Sequence, residues 1–168
     1  MWKQWFATLK SKVQVCHKMP SVVSSYIYTL AALTAVSALL IYSLNSYAYT
    51  LRANAETDQL QSILNGVAAK ANEVLTLVTT TNSSLTVYLN LPTTIGNHYY
   101  WMRMRNDSAK AWVEGSLGDM VEGNIDLQVE IPSEAKLSGH FVSTHGQATL
   151  QGYMNGSTPQ LNLASVGG

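Results

Sequence analysis

Residues 19–51 read MPSVVSSYIYTLAALTAVSALLIYSLNSYAYTL, 33 positions without one Asp, Glu, Lys or Arg, bounded by Lys18 and Arg52. At ~1.5 Å of rise per residue the densest part, residues 22–47, makes a helix of about 39 Å, enough for a ~30 Å hydrocarbon layer with some tilt. A helix apolar on every side needs lipid or a large core around it. The rest of a 168-residue chain is too small to supply that core, so the stretch reads as one membrane span. Tyr26, Tyr28, Tyr42, Tyr47 and Tyr49 lie toward its two ends, where a ring sits in lipid and its hydroxyl among headgroups.

Charge sets the expected orientation. Lys3, Lys10, Lys12 and Lys18 precede the span with no acid among them, whereas Arg52 is soon followed by Glu56 and Asp58. The N-terminus is therefore expected in the cytoplasm, with everything after the span outside. Residues 1–20 read as a cytoplasmic amphipathic leader, with Trp2, Trp5, Phe6, Leu9, Val13 and Cys16 at helical spacings. Pro20 is expected to break that helix and to open the next, which spans 21–50. Ala31, Ala35 and Ala38 form a small-residue row against which a second helix would fit.

Beyond the span, Leu60, Leu64, Val67, Ala71, Val74 and Val78 step alternately by four and three. This heptad predicts that helix continues through 51–80 with one apolar seam, packed on the chain's own outer domain in preference to a coiled coil. The TTTNSS cluster at 79–84 ends that period. Short alternating or aromatic runs follow: LTVYLNL at 85–91, HYYWMRMR at 98–105, KAWVEGSL at 110–117, NIDLQVEI at 124–131, KLSGHFVST at 136–144, QATLQGYM at 147–154 and QLNLAS at 160–165. Turn residues punctuate them, among them Asn106-Asp107, Gly118-Asp119 and Asn155-Gly156. The fold class expected is an α+β membrane protein: a long N-terminal helix with one transmembrane span, then a small antiparallel β-sandwich over 84–168.

Composition narrows the function. Only 12% of residues are charged, and ten basic residues balance ten acidic ones, which argues against a nucleic-acid partner. No glycine-rich phosphate loop, nucleophile elbow or paired-cysteine motif occurs, and neither an enzymatic activity nor a cofactor or metal is expected. His140 and His145 differ by an odd number and would face opposite sides of one strand. Asp119, Glu122, Asn124 and Asp126 are oxygen-rich but lack the EF-hand spacing and read as a solvated turn. Cys16 is the one cysteine and precedes the span, so the outer domain holds no disulfide.

Three sequons, Asn82-Ser83-Ser84, Asn106-Asp107-Ser108 and Asn155-Gly156-Ser157, all follow the span and are candidate N-glycosylation sites. Eleven Asn and 32 Ser or Thr among 168 residues give about two by chance. Tyr99, Tyr100, Trp101, Trp112 and Tyr153 fall in strand runs where only alternate positions reach a core, so some of these rings are expected outside. Trp101, Trp112 and Tyr153 are the candidate interaction residues.

A short lysine-containing leader, an apolar helix continuing into an amphipathic one, and a disulfide-free β-domain rich in Thr, Asn and Tyr together resemble the archaeal type IV pilin-like superfamily. That group includes adhesive pilins, archaellins and accessory proteins of the archaellum whose β-sandwich faces the S-layer. The resemblance lies in architecture. It implies a structural protein of the cell surface whose partners are membrane lipid and sibling subunits or an S-layer or other envelope protein. In that family a basic and then a small residue precede the helix. Lys18-Met19-Pro20-Ser21-Val22 stands there in this chain, and Met19-Pro20 is a poor approach to a cleavage site, so the leader is expected to be retained. The early helix Glu of bacterial pilins is absent. The alternatives are a minor pilin cleaved near Ser21 and an accessory subunit of a larger membrane enzyme or transporter.

Overall fold

The computed structural model describes the backbone of residues 2–107, 109–121, 125–131 and 135–166, and side chains from Val22 onward. Its elements are one helix, α1 (Trp2–Thr81), and seven strands: β1 (Leu85–Leu89), β2 (Tyr100–Asn106), β3 (Ala111–Leu117), β4 (Leu127–Ile131), β5 (Lys136–Val142), β6 (Gln147–Asn155) and β7 (Thr158–Val166). The chain divides into two compact units, 1–51 and 52–168.

In the first unit every described side chain, from Val22 to Leu51, is exposed. This helix is long and apolar enough to cross a membrane, and it does not serve as the core of a soluble fold. Its threonines bond within the helix: Thr29, Thr34 and Thr50 donate to the carbonyls of Ser25, Ala31 and Ser46 at 2.9, 2.9 and 3.1 Å, an arrangement compatible with an apolar surrounding. The break expected at Pro20 does not occur, since α1 runs through it. A proline forfeits one backbone hydrogen bond, and those of the neighbouring turns hold the helix across the gap. The side chains of Trp2, Trp5, Phe6 and Cys16 lie outside the described residues.

The second unit is built on the heptad. Leu60, Leu64, Val67, Ala71, Val74 and Val78 are all buried, and the partner they cover is the sheet. A Cβ on Gly115 of β3 would stand 3.2 Å from Leu64 Cδ2, and one on Gly152 of β6 only 2.6 Å from Val74 Cγ1. Both glycines are therefore places where the helix seam presses onto the strands. The helix ends where four threonines in its last turns, Thr76, Thr79, Thr80 and Thr81, bond back to carbonyls four residues earlier. Asn82 then turns left-handed (φ 50°), its amide donating to the Val78 carbonyl at 2.9 Å, which is an αL cap.

All seven expected runs form strands, but not the sandwich. They make one open sheet in the order β1-β6-β7-β5-β2-β3-β4, antiparallel throughout except for β5 with β7. The parallel pair arises because the β6–β7 hairpin inserts β7 between β6 and β5. Strand β5 serves both halves of the sheet: its first part pairs with β7 and residues 140–142 pair with β2. The switch falls at Gly139, whose φ of +95° favours glycine and whose Cβ would collide with the Leu163 carbonyl oxygen. A second sheet is unnecessary because the helix already covers one face.

The residues between β1 and β2 close one end of this core. Ile95 is fully buried, the Tyr100 hydroxyl donates to the Pro92 carbonyl at 2.7 Å, and Gly96 lies against Glu56. Burial in this cap pushes the Tyr100 phenol up to about 12, because an ionised oxygen there would lack water.

Candidate functional site

The face of β2 and β3 turned away from the helix seam carries charge. Alternation directs Tyr100, Met102 and Met104 into the core and Trp101, Arg103 and Arg105 to the other side. The β2–β3 register sets Trp101 opposite Ser116, Arg103 opposite Glu114 and Arg105 opposite Trp112, while β5 places His140 on the other flank of Arg103.

Glu114 is the centre of this face. Its side chain is 2% exposed, and its carboxylate accepts from Arg103 Nε at 2.8 Å and Nη2 at 2.5 Å, both on Oε1, and from Trp112 Nε1 at 2.8 Å on Oε2. Arg105 Nη1 stands 3.8 Å from the same Oε1. A buried carboxylate demands such saturation. The Arg103 guanidinium in turn lies 5.7 Å from the centre of the Trp101 ring, in cation–π range.

With Glu114 spent on Arg103, one positive charge remains, on the half-exposed Arg105. It borders a shallow groove of about 340 Å³ shared with Arg103, Asn106, Leu137, Gly139 and His140. The groove offers hydrogen-bond donors and positive potential. A second open cleft, of about 720 Å³, lies at the end closed by the β1–β2 connection, between Leu89, Leu91 and Tyr99 on one side and Phe141, Ser143 and Gln147 on the other. It contains no charged group and suits neutral polar or apolar contacts.

Of the expected interaction residues, Trp101 is 1% exposed and presents no surface to a partner. It does stand on the outward register, as the alternation requires, but is covered there, and its Nε1 has no hydrogen-bond partner. Trp112 is half-buried with its indole N–H engaged by Glu114, and Tyr153 is 37% exposed with its hydroxyl donating to Gln160 Oε1 at 2.8 Å. Tyr99 and Tyr88 are the open rings of the domain, at 54% and 62%. Asn82, Asn106 and Asn155 are all exposed. Among the described residues no three His, Cys, Asp or Glu side chains converge. Glu122 and Asn124 of the oxygen-rich loop lie outside the described residues, and Asp126 accepts from Ser116 Oγ at 2.5 Å and from the Leu117 amide at 3.3 Å.

Arg103 and Glu114 were not among the residues expected to matter. A two-residue turn at Asn106-Asp107 would set 103 against 110; the observed register instead sets Asn106 opposite Ala111 and so Arg103 opposite Glu114, where opposite charges form a cross-strand pair. No family model matches the chain, and neither a curated protein nor a solved structure matches it.

Proposed function

We propose that the chain is a pilin-like, single-span membrane protein whose outer domain, built on residues 52–168, serves in assembly and binding within the cell envelope or a surface filament. The N-terminus lies in the cytoplasm and the β-domain outside. The carrying observation is the pairing of a wholly exposed, charge-free helical stretch, residues 22–51, whose threonine hydroxyls bond within the helix, with a folded unit that has a core of its own. The helix calls for lipid. The asymmetry of the four leading lysines supplies the orientation.

The make-up of the second unit favours binding over chemistry. Its one conspicuous buried charge is neutralised in place, and what it presents outward are open rings, a donor-rich groove and an uncharged cleft. Partners are membrane lipid and either sibling subunits or an S-layer or other envelope protein. The test is chemical cross-linking in native membranes with the full chain carrying an affinity tag at its C-terminus, followed by identification of what is recovered. Sibling copies, filament subunits or surface-layer protein are expected. Recovery solely of the subunits of a transporter or membrane enzyme would replace this reading with that of an accessory subunit.

A further inference from the structure

The three sequons are far apart in the sequence, but the sheet brings them to one end. One rung crosses five strands: Leu85 pairs with Gly152, Gly152 with Leu161 and Leu161 with Leu137, and the Leu137 amide donates to Asn106 Oδ1 at 3.2 Å. Asn82 lies three residues before Leu85 and Asn155 three residues after Gly152, so both project beyond the same side of that rung as the turn after Asn106. Glu56, Gly96 and His98 lie at the opposite end.

Each acceptor asparagine stands at or just beyond the end of a helix or strand. Asn82 is the left-handed cap of α1, Asn106 opens the β2–β3 turn, in which Asp107 Oδ1 accepts from the amides of Ala109 and Lys110, and Asn155 leads into the two-residue β6–β7 turn. All three are exposed. The β1–β2 connection leaves the sheet at the other end and holds Asn90 and Asn97, neither of which is followed by Ser or Thr at the second position. Among the described residues, acceptor sequences thus occur at Asn82, Asn106 and Asn155 on one end and not at Asn90 or Asn97 on the other.

We infer that N-linked glycans on Asn82, Asn106 and Asn155 cap the end of the folded unit remote from Glu56. In each transfer the side-chain Nδ2 attacks the anomeric carbon of an oligosaccharide carried on a polyisoprenyl phosphate. The nitrogen–carbon bond forms, the bond from that carbon to the phosphate oxygen breaks, and the amide proton leaves with the lipid phosphate. Asn106 can carry its glycan without loss of the rung, because Oδ1 is the atom that accepts from Leu137. Asn106 also lines the groove of Arg105 and His140, so a sugar there screens the groove from a protein partner. Partners then meet the sides of the sheet or the opposite end, where Tyr99 and the uncharged cleft lie.

The inference rests on the proposed outer location of the domain. Peptide-level mass spectrometry of the full chain from native membranes tests it, beside protease treatment of the intact cells. Expected are glycans on Asn82, Asn106 and Asn155, none on Asn90 or Asn97, and loss of one glycan mass in each of Asn82→Gln, Asn106→Gln and Asn155→Gln. Unmodified sequons in a domain that external protease digests would overturn the cap and leave the proposed function standing. Unmodified sequons in a domain protected from protease would overturn both.

Discussion

At the residue scale, Glu114 shows how a sheet face tolerates a charge that the core could not. Its carboxylate is almost wholly buried, but two donors from Arg103 and one from Trp112 take the place of water. Removing one member of such a pair strands the other, at a cost of about 3–5 kcal/mol. Glu114→Ala should therefore lower stability by that amount in urea unfolding of the purified full chain, whereas Arg103→Met combined with Glu114→Leu should cost far less than the sum of the single changes. Tyr100 sets an alkaline limit. Its phenol is held neutral up to about 12 by burial, above the ordinary value near 10. A raised value means that its stabilising contribution is complete below pH ~10 and is lost as pH rises through the folded value. Absorbance titration should show a tyrosine component ionising near pH 12, and Tyr100→Phe should remove that component.

At the element scale, helix and sheet specify each other through the heptad. The seam from Leu60 to Val78 was legible because a 4-3 step is a periodic signal independent of what covers it, and the strands were legible because alternation is equally local. The order of the strands was not. An antiparallel sandwich and an open sheet backed by a helix present the same alternating runs, and what separates them is long-range pairing: β7 inserted beside β5, and Gly139 allowing β5 to change partners. Burial of Trp101 was likewise hidden, because alternation gives the side of the sheet a ring faces and not what else covers that side. Gly152 tests the helix–sheet contact. Gly152→Ala would set a methyl 2.6 Å from Val74 Cγ1 and 3.0 Å from Val78 Cγ2, an overpacking worth about 1–3 kcal/mol. Thermal unfolding should show that loss, and Val74→Ala added to Gly152→Ala should recover part of it by making room.

At the scale of the whole molecule, the two units present two kinds of surface. Residues 22–51 expose apolar side chains without charge, and residues 52–168 fold around a core of leucine, valine and aromatic side chains with the charges outside or paired. The site was less legible than the long apolar helix: that helix is a property of composition, while the Arg103–Glu114 cluster depends on the register of two strands. The proposed function stands on the span and its direction. The most direct measurement is labelling of intact cells with a membrane-impermeant maleimide, comparing the native Cys16 with a cysteine placed at the exposed Tyr88. Tyr88→Cys should react in intact cells and Cys16 only after the membrane is permeabilised. Reaction of Cys16 from outside, or protection of the cysteine at position 88 until lysis, would contradict that topology.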